Sequence, residues 1–138
     1  MTRKVFLDTN VLVDWLTGRE PFADLADKIF ELHLDHGFDI FISALSLANV
    51  AYLLDRKKVK PHSAISELLR WTRTIDLTRS IITEATESGF ADFEDGLQYF
   101  SAKSIDGVDV IVTRNKGDFK LSSIPVQSPD EFIASFSK

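Results

Sequence analysis

The chain contains no cysteine, so neither a disulfide framework nor a cysteine-ligated zinc site can be built from it. A reducing, cytoplasmic setting is the corresponding expectation. Histidine is nearly as scarce, at 3 in 138 residues, which argues against histidine-based acid–base chemistry. His33 and His36 stand three apart in "ELHLDHG" but lack an obvious third ligand, so they read as the polar end of a helix. No apolar run approaches the roughly 20 residues that span a bilayer, and no membrane association is expected. "MTRKVFLD" has neither the longer apolar core nor the small-residue cleavage site of a signal peptide. Internal repeats, linker-like Gly/Ser/Pro runs and a Gly-rich phosphate loop are also missing. Positive charge is not in excess: 16 Lys and Arg face 21 Asp and Glu, for a net charge of −5. Any nucleic-acid binding therefore needs a local basic patch or bound cations.

What remains is a well-stocked core. The hydrophobic fraction is 44%, with 11 Phe, 2 Trp and 2 Tyr, and the length suits one domain over residues 1–138. Apolar periodicity alternates between strand and helix. "KVFL" (4–7), "FDIFIS" (38–43), "IDL" (75–77), "DVIVT" (109–113) and "PVQ" (125–127) read as strands. Helices are expected at about 10–16, 21–36, 45–57, 62–74, 78–88, 92–104 and 129–136. The third, "LSLANVAYLLDRK", is apolar nearly all round and reads as buried. Such alternation indicates an α/β domain with a mostly parallel sheet, whose ligand crevice lies beyond the carboxyl ends of the strands.

Polar residues follow two of the strands. Asp8, Thr9 and Asn10 come after the first; Thr113, Asn115 and Asp118 end or follow "DVIVT". In "FADFEDGLQYF", Asp92 and Asp95 share a helical face, whereas Glu94 points away, and Phe93, Leu97 and Phe100 would dock the helix. Each acid has an ordinary local explanation: Asp92 and Asp8 as helix caps, Asp118 as a turn residue. Taken together they would repel by roughly 4 kcal/mol per pair at 4 Å and an effective dielectric near 20. A crevice of that kind raises its pKa values or binds a cation. Oxygen ligands without Cys or suitable His select Mg²⁺ or Mn²⁺ over zinc.

"VFLDTNVLVD", "ISALSLANVAYLL", "ADFEDGLQYFSA" and "DVIVTRNKGDF" together resemble a PIN domain, the ribonuclease fold of VapC-type toxins. The resemblance spans nearly the whole chain. It implies a three-layer α/β/α domain, a central, mostly parallel sheet of about five strands, and a Mg²⁺- or Mn²⁺-dependent phosphodiesterase site. Carried over by position, Asp8 is the first acid and Asp95 the third, with Asn115 and Asp118 in the fourth motif and Thr113 as its hydroxyl. Asp92 is an additional acid; Asp8, Asp92, Asp95 and Asp118 are the candidate metal ligands, backed by Thr9 and Asn49. The family's second acid, a Glu, is replaced here by Asn49. That departure implies weaker metal affinity, compensation by Asp92, or lost activity.

The implied substrate is RNA, with Arg56, Lys57, Lys58, Lys60, Arg114 and Lys116 as candidate phosphate contacts. A toxin of this type implies a small antitoxin protein as partner, and homodimerisation is common in the family. The competing reading is a catalytically weak module that binds RNA or a protein, to which Asn49 and the acidic net charge lend weight.

Overall fold

The computed structural model describes residues 2–137. Five strands, β1 (Lys4–Leu7), β2 (Asp39–Ser43), β3 (Arg73–Ile75), β4 (Val110–Val112) and β5 (Val126–Gln127), form one sheet in the order β3-β2-β1-β4-β5. Every pairing is parallel; Val5 lies opposite Ile40 on one side and Val110 on the other. Parallel neighbours need crossovers, and helices supply them. These are α1 (Thr9–Thr17), α2 (Phe22–His36), α3 (Ala44–Arg56), α4 (His62–Trp71), α5 (Arg79–Glu87), α6 (Phe93–Lys103) and α7 (Pro129–Ala134).

Alternation along each strand divides the core into two layers. Val5, Leu7, Ile40, Ile42, Val110 and Val112 pack with Leu12, Ile29, Val50, Leu68 and Phe132 from α1, α2, α3, α4 and α7. Phe6, Phe41, Ile75 and Ile111 face the other way, onto Ile81 and Ala85 of α5 and Leu97, Tyr99 and Ala102 of α6. The expected three-layer α/β/α arrangement is therefore present. His33 and His36 are structural, as expected: His33 bonds the Phe38 carbonyl at 2.6 Å, and His36 packs on the Phe136 ring.

Three local expectations need correction. The third strand is Arg73–Ile75, ahead of the expected 75–77, because its pairing with β2 begins at Phe41 opposite Arg73. That edge strand starts with two exposed polar residues, so it carries little apolar signal. Helix α3 is not buried all round: it buries Ser46, Val50 and Leu54 while Tyr52 is 65% exposed. Only one stripe of the helix meets the core, and the opposite side faces outward. Phe93 does not dock α6 either; it is 49% exposed at the first turn, and docking falls to Leu97, Tyr99, Ser101 and Ala102.

The order of strands reverses at β1 and β4, since the chain moves outward from β1 to β3 on one side and from β4 to β5 on the other. A crevice at the carboxyl ends of that central pair is the place where such sheets bind ligands.

Candidate active site

Asp8 leaves β1 directly into that crevice. It caps α1, accepting the Thr9 amide at 2.8 Å, while its own amide bonds the Val112 carbonyl of β4 at 3.0 Å. The Thr113 hydroxyl donates to its second carboxylate oxygen at 2.8 Å, and the Gln98 amide donates to the first at 3.2 Å. The start of α1, the residue after β4 and α6 thus fix one buried carboxylate. Burial pushes its pKa up, the bonds from Thr113, the Thr9 amide and Gln98 pull it down, and nearby Asp118 pushes it up again; the net direction is upward.

Thr113 is fully buried and accepts the Asn115 amide at 3.1 Å, so it positions Asp8 and the following loop without facing the crevice itself. Thr9 lines the crevice, while its hydroxyl bonds Ser46 at 2.7 Å and accepts the Gln98 amide at 2.8 Å. Gln98 is the centre of this polar cluster. It is buried, donates to Asp8, Thr9 and Ser46, and accepts the hydroxyl of Ser43. Its signal in the sequence was a lone amide in the otherwise apolar "GLQYF", three residues after Asp95, where burial demands partners.

Asp95, in the first turn of α6, and Asp118, in a short 3-10 turn (Lys116–Phe119), line the same crevice as Asp8. Buried Phe119 pins that turn to the second core layer. Asn49 and Asn115 line it too, and Arg19, which sequence patterning did not signal, stands on its wall. Asp92 caps α6 by accepting the Asp95 amide at 3.1 Å. It lines an adjoining depression that shares Asp95 and Asp118 with the crevice and adds Phe90, Lys120 and Leu121. Glu94 is solvent-exposed, as expected from its helical angle, yet it also lines the crevice and accepts the Asn49 side-chain amide at 2.9 Å. Helical angle alone omitted the neighbouring helix, whose Asn49 meets Glu94 at the crevice.

The crevice is short of positive charge. Asp8, Glu94, Asp95 and Asp118 meet only Arg19 and Arg114. Arg114 is committed elsewhere, bonding buried Asp14 at 2.6 and 3.3 Å with its guanidinium 4.1 Å from the Phe22 ring centre. Asp95 registers the imbalance: burial, then the charges of Asp118, Asp92, Asp8 and Glu94, push its pKa up from 3.8 to about 7. The donors are carboxylate and amide oxygens, which suit Mg²⁺ or Mn²⁺. Among the described residues, however, no three Asp, Glu or His side chains form a preassembled metal-holding group. The fit is one of charge and donor type.

Because folded Asp95 binds its proton more tightly than unfolded Asp95, the metal-free fold loses stability as pH rises from 3.8 through about 7. Asp95→Asn removes that slope. After discounting for its partial exposure, the expected gain above neutral pH is about 1 kcal/mol, or about 4 °C in Tm. The lost dipole benefit of an acid in the first turn, about 0.5 kcal/mol, is smaller. Thermal melts of both proteins in chelator from pH 4 to 8 check this; parallel curves would contradict it.

The candidate phosphate contacts fall into two groups. Arg56, Lys57, Lys58 and Lys60 are exposed at the end of α3 and its following turn, outside the crevice. By helical rise, Arg56 lies about 10 Å further along α3 than Asn49. Arg114 and Lys116 are engaged, the first by Asp14 and the second by Glu131 at 2.9 Å. Bonds from Ser128 and Lys116 hold Glu131 down to a pKa of about 2.

Comparison with known proteins places this arrangement in context. The PIN domain family model matches residues 4–117. "Ribonuclease VapC1" of Aquifex aeolicus (strain VF5) is 30% identical over 137 residues, covering 95% of this chain and 94% of that protein. A chain from the structure of VapBC2 from Rickettsia felis bound to a promoter DNA fragment superposes with a TM-score of 0.68 at 22% identity. It covers 91% of this chain and 98% of that one. A toxin–antitoxin complex from Klebsiella pneumoniae gives a TM-score of 0.67 at 20% identity, covering 91% and 97%. Among the described residues no helix is long and apolar enough to cross a membrane.

Proposed function

This chain belongs to the PIN domain family, and from that premise we propose that it is a divalent-metal-dependent endoribonuclease, the toxin of a toxin–antitoxin pair. The observation that carries the reading is the convergence of Asp8, Asp95 and Asp118 on one crevice whose negative charge is not neutralised from within. Similarity to a protein named as a ribonuclease supports the same reaction.

Asp8, Asp95 and Asp118 would hold Mg²⁺ or Mn²⁺, directly or through water, with Asn115 at the rim. When bound, the cation supplies charge neutralisation at the phosphoryl group and a lower pKa for its water. The chain's own contribution is placement. Thr113 and Gln98 fix the Asp8 carboxylate from behind, and the Asn10 side chain bonds the Arg114 amide at 3.3 Å, tying the loop after β4 to the start of α1. Asp92 caps the helix that presents Asp95 and extends the acidic wall into the adjoining depression.

The direct test is Mn²⁺-dependent cleavage of a panel of structured and single-stranded RNAs. A module that only binds, the reading that Asn49 favours, would neither take up Mn²⁺ nor cleave.

Arg56, Lys57, Lys58 and Lys60 form the outer phosphate rim in this reading. Replacing Lys57, Lys58 and Lys60 with Ala should weaken RNA binding and make log K against log salt shallower by about 2 for a single strand. An unchanged slope removes the rim from the binding surface. The partner is a small antitoxin whose arginine enters the crevice and neutralises the carboxylates. Similarity to chains of solved toxin–antitoxin complexes supports it. A homodimer is part of the same proposal.

A further inference from the structure

From the Asn49–Glu94 contact we infer that Glu94 is the functional substitute for the carboxylate that α3 lacks, delivered from α6 and positioned by Asn49; the inference rests on the metal-dependent reading above. Asn49 occupies the α3 position where a second acid would be expected, and its amide brings neither charge nor proton-accepting capacity at neutral pH. The structure supplies an acid at that place from another element. Glu94 lines the crevice together with Asp8, Asp95 and Asp118, and the Asn49 Nδ2 donates to Glu94 Oε1 at 2.9 Å.

The geometry explains why Asn suits this place. Two facing carboxylates at positions 49 and 94 would repel, whereas an amide donor binds one oxygen of Glu94 and leaves the other unclaimed by Asn49. Glu94 precedes Asp95 in the first turn of α6, and its longer side chain allows the contact across to α3. Asn49 itself follows buried Ser46 by three residues, on the side of α3 whose Ser46 hydroxyl bonds Gln98. One pair of helices therefore carries both the polar support of Asp8 and the Asn49–Glu94 contact. Asp92, the other acid available to compensate, is turned toward the adjoining depression and committed to capping α6.

The test measures Mn²⁺ affinity by electron paramagnetic resonance, alongside RNA cleavage, for four forms of the full chain. Wild type is compared with Glu94→Gln, with the exchanged pair Asn49→Glu/Glu94→Gln, and with Glu84→Gln, which removes an exposed charge on α5. Glu94→Gln keeps an oxygen for Asn49 to bond and should weaken Mn²⁺ binding at least about tenfold. The exchanged pair should recover most of that loss, because the carboxylate returns to the crevice from α3. Glu84→Gln should bind as wild type. Unchanged affinity in Glu94→Gln, or no recovery in the exchanged pair, overturns the inference while leaving the nuclease reading intact. A wild-type chain that binds no Mn²⁺ overturns both.

Discussion

If the proposed metal-dependent reaction is correct, Asp8→Asn is expected to lower Mn²⁺-dependent RNA cleavage by more than about 100-fold while leaving the fold in place. Loss of a residue that merely orients a metal ligand typically costs 10–100-fold, so removing the charge of Asp8, a ligand in the proposed reading, should exceed that range. Folding survives because Asn caps a helix about as well as Asp, and the Thr9 amide keeps its acceptor. Thr113 and Gln98 donate to different oxygens of this carboxylate, so the NH2 of the new side chain faces one of these donors, which must reorient. The cost is local, since Asp8 is held in the crevice at raised pKa and its charge is not required for packing. Initial rates on one cleavable RNA, paired with circular dichroism melts, separate the two effects. Cleavage at the wild-type rate with metal present would remove Asp8 from the site.

Arg114→Ala acts on stability first. The Asp14 side chain is 2% exposed and Arg114 is 22% exposed, so the substitution strands a buried carboxylate with no other side-chain partner among the described residues. Breaking a buried pair in this way costs about 3–5 kcal/mol. Loss of the guanidinium over Phe22 adds about 0.5–1 kcal/mol. Against a total stability of about 5–15 kcal/mol, the variant should unfold at a much lower urea midpoint. A paired replacement, Asp14→Leu with Arg114→Met, should recover most of that loss, because no charge is then left buried. A urea midpoint unchanged in Arg114→Ala would show that Asp14 finds another partner.

The sequence was most informative where local pattern and chemistry coincide. Apolar "KVFL" followed by Asp8, and "DVIVT" followed by Asn115 and Asp118, announce strands that end in polar residues. The parallel architecture then puts those residues together. Contacts made between distant elements were the hidden part. Asp14 and Arg114 are 100 residues apart, and nothing near either one signals the other. The Glu94 contact was hidden for the same reason: its angle on α6 is a property of one helix, whereas its partner Asn49 belongs to another. Gln98 stood between these cases. Its amide in an apolar run showed that buried partners must exist, yet only the fold identifies them as Asp8, Thr9, Ser43 and Ser46.

The central position of β1 also sets the order in which the protein can come into being. Its two neighbours in the sheet are β2, next in the chain, and β4, whose Thr113 lies 105 residues beyond Asp8. Contacts of such long range are the slow ones in folding, because a large loop must close before they form. A nascent chain that ends before Val110 can pair β1 with β2 but possesses neither β4 nor Asp118. Assembly of the acidic crevice is thus deferred until most of the chain has been made, and a truncated product carries Asp8 without the other half of its site.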